Sequence, residues 1–278
     1  MADAGYLNDH YRHEDSQGNI YYHHPEDEDK KRKTRYAGVT SIISAAWPSH
    51  YLEKWRMGNL AKYLIDNEKI VTKKLKHSSN KSEPFRELGV KSLQEKLIGW
   101  SQDFSAADRG TRIHLVLEEI YKNKTSVAEL RKLAHSDYEV AVAVRAARLL
   151  KDKGFKILAT EIKVYGKAIC GQRYAGTVDI VAEDKDGYLA VIDLKTGKRV
   201  NKAYIPQLGA YAYAETMIHP ETKKVIFMPY IRNGHVLHAT SKKAELYSVD
   251  IEDAKELFDS CALIYQTANT SGGLTKWK

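Results

Sequence analysis

The stretch of residues 175–197 constrains the fold more than any other part of the sequence. Its segments 177–183 and 188–195 are largely apolar and rich in β-branched residues, which predicts two β-strands. Residues 184–187 join them and end in an Asp-Gly pair, which suits the positive φ angles of a tight turn. The sequence therefore predicts a β-hairpin.

The predicted hairpin brings acidic side chains together. Because side chains alternate along a strand, Asp193 and Lys195 share one face and lie about 6.6 Å apart along it. Asp179 interrupts the apolar first strand in the same way, and Val178 and Ile180 are expected on the opposite face. Three ionisable groups are therefore expected to converge on one patch.

Clustered carboxylates of this kind favour a metal site. Buried charges are costly unless they pair or hold an ion. Two carboxylates with a backbone carbonyl form an all-oxygen pocket that suits Mg²⁺ or Mn²⁺. A neighbouring lysine can orient an attacking water and offset charge at a phosphorus centre. A surface hairpin with an Asp-Lys ion pair is the alternative reading of these residues.

Composition limits the class of protein. The net charge of +8 over 278 residues favours an anionic partner, most simply nucleic acid. Two cysteines, Cys170 and Cys261, are too few for a disulfide framework or an iron-sulphur cluster. No run approaches the ~18 apolar residues of a membrane span, and early acidic residues argue against a targeting signal. We therefore expect a cytoplasmic protein without membrane association.

Hydrophobic periodicity predicts how the chain is organised. Residues 1–36 are an N-terminal extension, and residues 37–278 form a single domain. Within that domain, apolar residues at helical spacing predict a helical annex over residues 37–104, followed by a core over residues 105–268. Three tryptophans of the annex either stack on bases or pack in its interior; they are Trp47, Trp55 and Trp100.

Two residues of the predicted core, His114 and Glu161, are candidates for a site. His114 and Glu118 lie one turn apart on a predicted helix, beside its buried stripe. His114 is either a metal ligand or a hydrogen-bonded core histidine. Glu161 lies in a predicted strand and is either an acid that supports the site or the partner of a surface cation.

Residues 205–218 predict a helix on which Gln207 and Tyr211 face one direction. A helix start preceded by cations suits a phosphodiester backbone; the cations are Lys198, Arg199 and Lys202. Further along, the Asn-Gly pair at residues 233–234 predicts a second hairpin turn. The sequence contains no P-loop, GxGxxG, HExxH or GxSxG motif, which argues against the common nucleotide, hydride, zinc-protease and serine-hydrolase functions.

Taken in order, these residues resemble the RecB-like branch of the PD-(D/E)xK nuclease superfamily. The family pattern is a histidine on a helix, then G-x-x-D, then D-x-K on the next strand and Q-x-x-x-Y on the next helix. The matching positions are His114, Glu161, Gly176-x-x-Asp179, Asp193-x-Lys195 and Gln207-Leu208-x-x-Tyr211. Residues 39–43 and 52–55 also resemble the N-terminal helices of the mitochondrial genome maintenance exonuclease.

The resemblance implies an α/β fold with a mixed central β-sheet flanked by helices, a restriction-endonuclease-like core with an N-terminal helical annex. It implies that Asp179, Asp193 and the carbonyl of Leu194 hold the metal and that His114 completes the site. Lys195 then positions or activates the water, and Glu161 is a further catalytic acid. Gln207 and Tyr211 brace the nucleophile and the scissile phosphate. DNA contacts are expected at Lys198, Arg199, Lys202, Thr40 and Trp55.

By the same resemblance we expect a divalent-metal-dependent deoxyribonuclease, an exonuclease that acts on single-stranded DNA or DNA ends. A structure-specific endonuclease and a catalytically silent nucleic-acid-binding module are the alternatives. Replication or recombination proteins as partners, a role in DNA repair or recombination, and a bacterial or phage-infected cell are the corresponding expectations.

Overall fold

The structure is a computed structural model, which describes residues 11–14, 20–27, 34–47, 69, 105–123 and 126–269. The chain divides into two compact units, Met1–Trp47 with Arg109–Lys278, and Pro48–Asp108. Within the second unit the structure describes only residues 69 and 105–108. Trp55, Trp100 and the predicted annex helices beyond Trp47 therefore lie outside the described residues.

Ten strands form one mixed sheet in the described part of the first unit. The predicted hairpin is present as the fifth and sixth strands, which are hydrogen-bonded in antiparallel register. The strands are β1 (Arg12–Glu14), β2 (Ile20–His23), β3 (Arg35–Gly38), β4 (Lys156–Lys167), β5 (Arg173–Glu183), β6 (Leu189–Lys195), β7 (Thr216–Ile218), β8 (Val225–Phe227), β9 (Asn233–Ala239) and β10 (Ala244–Val249).

Six α-helices accompany the sheet in the described ranges. They are α1 (Val39–Ala46), α2 (Ser105–Asn123), α3 (Val127–Leu133), α4 (Asp137–Asp152), α5 (Ile205–Ala212) and α6 (Ile251–Asn269). A capping box between Ser126 and Glu129 starts α3, because each residue satisfies a backbone N–H of the other. Gly154, at φ +81°, follows the end of α4 in the left-handed conformation that glycine adopts readily. None of the helices in the described residues is long and apolar enough to cross a membrane.

The helix predicted over residues 205–218 is too long. It ends at Ala212, because residues 216–218 form β7, which pairs with both β4 and β8. The hairpin turn predicted at Asn233-Gly234 is also wrong. Asn233 begins β9, which runs parallel to β6, and the hairpin turn lies at residues 240–243 between β9 and β10.

Strand β5 is the centre of the sheet. One of its edges pairs along nearly its whole length with antiparallel β4. Its other edge is divided: β3 pairs with residues 174–175 in parallel register, and β6 pairs with residues 180–183 in antiparallel register. Residues 176–179 lie at the fork between these two neighbours. The fork is where the sequence places the G-x-x-D motif.

Helices cover the sheet with two hydrophobic cores. The first contains α1, α5 and α6 residues together with Val178, and the second contains α2 and α4 residues together with Ile180. Val178 and Ile180 were expected on one face, opposite Asp179. Instead Ile180 and Asp179 line the same small cavity. Opposite this change, between the pairs Thr160–Ile180 and Ile162–Val178, Glu161 of β4 has a φ of +53°.

Candidate metal centre

Three side chains from three different elements form a compact cluster at the fork. His114 comes from α2, Glu161 from β4 and Asp179 from β5, and one ligand atom from each lies within 4.8 Å of the others. His114 Nδ1 is 3.4 Å from Glu161 Oε1 and 3.6 Å from Asp179 Oδ1. Its other nitrogen, Nε2, donates to the carbonyl of Leu194 at 3.1 Å. The histidine therefore joins the two acids to the end of β6.

The backbone of Glu161 explains how its side chain reaches this cluster. Its φ of +53° is in the left-handed region, which is uncommon for a residue other than glycine. Strain of this kind costs of order 1–3 kcal/mol and persists only where surrounding structure enforces it. The twisted backbone turns the carboxylate towards His114. The observed partner of Glu161 is therefore the cluster histidine, rather than the surface cation that was one of the two expectations.

The fork of the sheet fixes Asp179. Its Oδ2 accepts a hydrogen bond of 2.7 Å from the backbone N–H of Leu194. This bond joins β5 to β6 just beyond their last paired residues, Ile180 and Ile192. The carboxylate thus takes the place of a strand partner at the point where the two strands separate. One oxygen of Asp179 holds β6, and the other faces His114.

A second polar group lies beside the cluster. Lys195 Nζ donates to Asp193 Oδ1 at 2.7 Å and to Gln207 Oε1 at 3.3 Å. Gln207 Nε2 in turn donates to the hydroxyl of Tyr211 at 2.8 Å. Asp193 is only 1% exposed, so it is held in the interior by the lysine. Helix α5 thereby presents the predicted Q-x-x-x-Y pair to the D-x-K lysine.

Glycine at position 176 makes room for this arrangement. A Cβ atom at Gly176 would lie 2.7 Å from Cε1 of Tyr211 and 3.2 Å from Cγ2 of Val39. Any larger residue would therefore push the Tyr211 ring away from Gln207. The close approach of Tyr211 and Val39 therefore explains why glycine occupies the first position of the G-x-x-D motif, which the sequence alone did not reveal.

Burial and mutual attraction set the charges of the site. Burial alone would lower the pKa of His114, but the carboxylates of Asp179 and Glu161 raise it to about 9. Burial raises the pKa of Asp179 and raises that of Asp193 to about 6, although Lys195 lowers both. The same acids raise the pKa of Lys195 against its own burial. Two positive groups, His114 and Lys195, therefore face three acids, Glu161, Asp179 and Asp193.

The donor set fits a divalent cation. Carboxylate oxygens, a backbone carbonyl and an imidazole are ligands for Mg²⁺ or Mn²⁺. A cavity of about 10 Å³, lined in part by His114, Glu161 and Asp179, has room for about one water-sized occupant. Oδ2 of Asp193 is buried and has no hydrogen-bond partner among the described residues. An uncompensated carboxylate oxygen next to such a cluster is consistent with cation binding.

The structure brings most of the predicted residues together. His114, Glu161, Asp179 and the Leu194 carbonyl form one group, and Asp193, Lys195, Gln207 and Tyr211 form the adjoining one. Asp193 is not one of the three residues whose ligand atoms lie within 4.8 Å. Thr40 on α1 and the three predicted DNA-binding cations are exposed, the cations following the end of β6; they are Lys198, Arg199 and Lys202. Trp55 lies outside the described residues.

Two residues of the site were missed by the sequence analysis. Glu118, which was noted without a role, lines the cavity beside His114 and is paired with Lys122. His238 on β9 is 5% exposed, and its Nε2 lies 2.7 Å from the carbonyl of Gly197, just after Lys195. Spacing to His114 was the available signal for Glu118. No sequence signal was available for His238, because the parallel pairing of β6 with β9 was not predicted.

Acids, an imidazole and a half-buried lysine at the fork of a mixed sheet are groups that metal-dependent hydrolytic sites use. Comparison with known proteins specifies the family. The family model described as "PD-(D/E)XK nuclease superfamily" matches residues 86–270. The chain belongs to the PD-(D/E)XK nuclease superfamily. Membership implies metal-dependent nuclease activity on nucleic acid.

Two other comparisons add little to this assignment. A search of curated proteins returned no match. One similar solved chain is that in "Crystal structure of SSO0001", with 18% sequence identity and a TM-score of 0.35. That alignment covers 74% of this chain and 88% of the other. At such a TM-score the likeness carries no argument about this chain.

Proposed function

We propose that this chain is a divalent-metal-dependent DNA exonuclease of the RecB-like branch, similar to the mitochondrial genome maintenance exonuclease, and that it acts on single-stranded DNA or DNA ends. The observation that carries the nuclease part is the contact of His114, Glu161 and Asp179 next to the Asp193–Lys195 pair. A protein that only binds a polyanion does not need buried acids beside it. The preference for DNA and for ends rests on the motif resemblance.

In the proposed site, Asp179, His114 and the Leu194 carbonyl would hold the cation, with Asp193 or Glu161 providing a further carboxylate. A divalent cation bound there supplies Lewis-acid polarisation of a phosphoryl oxygen and increases the acidity of a bound water. Bound Mg²⁺ or Mn²⁺ would also replace the positive charge that protonated His114 provides to the acids. His114 must then give up a proton, which makes cation binding pH-dependent.

Lys195 is the proposed water-positioning and charge-stabilising residue. Its ammonium group is held by Asp193 and Gln207, so its orientation is set before substrate binds. Gln207 also fixes the position of the Tyr211 hydroxyl, to which it donates a buried hydrogen bond. The two α5 residues would therefore brace the nucleophile and the scissile phosphate. Preorganised donors of this type stabilise charge that develops in the transition state.

The exposed cations after β6 are the proposed contacts to the DNA backbone. Lys198, Arg199 and Lys202 follow directly after the catalytic lysine. Each phosphate neutralised by such a side chain makes binding more salt-dependent. Thr40 on α1 and Trp55 are further proposed contacts. Replication or recombination proteins as partners, and the cytoplasm of a bacterial or phage-infected cell as location, complete the proposal.

Linear and circular single-stranded DNA test the proposal directly. Purified protein is incubated with each substrate in Mg²⁺ or Mn²⁺, with EDTA and Lys195→Met as controls, and the variant is used at a temperature at which its melting curve shows it folded. Degradation of linear but not circular DNA is expected, with both controls inactive. Cleavage of circles indicates an endonuclease, which is the second candidate. Binding without any cleavage in either metal contradicts the proposed enzyme and favours the silent binding module.

A further inference from the structure

A single face of β4 and β5 extends from the metal cluster to the far end of the sheet. Alternate residues of each strand share that face, because Ile162, Val164 and Val178 between them pack into the opposite core. On β4 the shared face carries Glu161, Lys163 and Tyr165, and on β5 it carries Asp179, Thr177, Ala175 and Arg173. The face therefore begins at the two acids and continues away from them. We call it the β4–β5 strip.

A lysine is the first residue of the strip beyond the acids. Lys163 lies two residues beyond Glu161, about 6.6 Å along the strand, and is paired in register with Thr177. Lys163 Nζ donates to Thr177 Oγ1 at 2.8 Å, which orients the ammonium group across the strip. A half-buried lysine next to the acid cluster is well placed for a phosphate adjacent to the scissile one.

An aromatic groove occupies the far end of the strip. Tyr165 lies four residues beyond Glu161, about 13 Å along the strand. Together with Tyr36 and Phe227 it lines a cavity of about 450 Å³. Phe227, on the outer strand β8, is 86% exposed. The guanidinium carbon of Arg173 lies 5.9 Å from the Tyr36 ring centroid. An exposed ring, a second ring and a guanidinium group in one groove are typical of base-stacking platforms.

The acids around the groove indicate which part of a nucleotide enters it. Glu26, Asp27 and Glu215 also line the cavity, so a phosphate inside it would be repelled. A nucleobase is neutral, and its exocyclic amino group donates to carboxylates. Phosphates are then left to Lys163, which does not line the cavity, whereas Arg173, which does, offsets part of the negative charge of the acids. The charges therefore match a strand whose backbone follows Lys163 and whose base enters the groove.

We propose that the β4–β5 strip binds an unpaired nucleic-acid strand leading away from the metal cluster, with one of its bases stacked on the exposed ring of Phe227 in the groove that Tyr36 also lines. This proposal rests on the proposed nuclease function and specifies its substrate as single-stranded beyond the scissile bond. A paired base cannot enter the groove, because its faces and its Watson–Crick edge are already occupied. The strip therefore distinguishes single strands from duplexes without reading sequence.

Phe227→Ala tests the groove with little risk to folding, because the ring is largely exposed. Tyr230→Ala is the matched control: it removes another exposed aromatic, 77% exposed, which does not line the groove. Binding of single-stranded DNA of about two and about eight nucleotides, and of a blunt duplex, is measured in EDTA to prevent cleavage. Melting temperatures of all variants establish that they are folded.

For Phe227→Ala we expect affinity for the longer single strand to fall by about 5- to 150-fold, the equivalent of one base–aromatic stack. Affinity for the two-nucleotide strand and for the duplex should not change, and Tyr230→Ala should match the wild type throughout. Lys163→Gln should reduce the salt dependence of single-strand binding by about one phosphate contact.

If Phe227→Ala loses equal affinity for the long single strand and for the duplex, or loses none for either, the β4–β5 strip is not a single-strand site. In that case wild-type cleavage of linear DNA still stands, so the nuclease proposal survives on its own. A wild-type protein that neither binds nor cuts any of the DNAs overturns both proposals. These outcomes separate failure of the groove from failure of the enzyme.

Discussion

The ion pair of the buried Asp193 and the half-buried Lys195 leads to a quantitative prediction about stability. Asp193 is 1% exposed, and Lys195 Nζ donates to its Oδ1 at 2.7 Å. Its other oxygen is buried without a hydrogen-bond partner among the described residues. Replacing Lys195 with methionine keeps the volume of the side chain but removes its charge. The carboxylate is then left in the interior with no lysine to balance it.

The expected cost follows from this burial. Removing one partner of a buried ion pair destabilises a protein by about 3–5 kcal/mol, mostly because the remaining charge is uncompensated. Lys243→Met is the matched control, since Lys243 pairs with Glu245 on the surface, with side chains 60% and 37% exposed. Surface pairs contribute about 0.2–1 kcal/mol. The double variant Lys195→Met with Asp193→Asn should be more stable than Lys195→Met alone, because it removes both charges.

The pH dependence gives a second check on the same pair. Burial already raises the pKa of Asp193 to about 6, and loss of the lysine removes the main group that opposes this rise. The folded variant therefore binds a proton that the unfolded chain does not, so its stability rises as pH falls. The cost of Lys195→Met should be smaller at about pH 5 than at about pH 8.

Urea unfolding in EDTA measures all of these free energies. EDTA is needed because a bound cation would also stabilise the acids. The reasoning is refuted if Lys195→Met costs no more than Lys243→Met at every pH. It is also refuted if the double variant is less stable than Lys195→Met alone. Either result would mean that Asp193 does not depend on the lysine for its charge balance.

Three further predictions concern other parts of the fold. Gly209→Ala should destabilise by about 1–3 kcal/mol, because its Cβ would overlap the Ala254 backbone of α6; Gly197→Ala, which meets no neighbour, is the control in the same urea titration. Arg112→Met should cost several kcal/mol by thermal unfolding, since Glu139 is 2% exposed and Arg112 Nη2 lies 2.9 Å from it. Burial lowers the pKa of His235 in the folded protein, so the unfolded chain takes up a proton first as pH falls below about 6.5, the pKa of an unfolded histidine. His235→Gln should therefore lessen the loss of stability at low pH, measured by urea unfolding.

Local pattern predicted the hairpin of β5 and β6 because its signals lie within a few residues. Alternation, an Asp-Gly turn and the D-x-K spacing all depend on near neighbours. The same reasoning failed at Asn233-Gly234, which looks like a turn by itself. There glycine serves a different purpose, since a Cβ at Gly234 would collide with Ile251 of α6. Contacts between distant residues override local turn preference.

The membership of the metal cluster shows the same limit. The motif order predicted that His114 and Asp179 would meet, and the structure puts them together. The order of the motifs could not predict that Glu161 would lie closer to His114 than Asp193 does. That outcome depends on the left-handed backbone of Glu161. This conformation arises within a paired strand and is not visible in the sequence of that strand alone.

The fork of the sheet has a consequence for how the enzyme matures. Strand β5 is held on one side of the fork by β3, whose Gly38 is paired with Ala175 across a long interval of sequence. Such distant pairings form slowly, because the intervening chain loses much freedom when its ends meet. The metal cluster likewise needs a distant contact, because Asp179 is held by Leu194 of β6 and faces His114 of α2. During refolding, helical content should therefore recover before nuclease activity does, and a newly made chain stays inactive on nucleic acid until its sheet is closed.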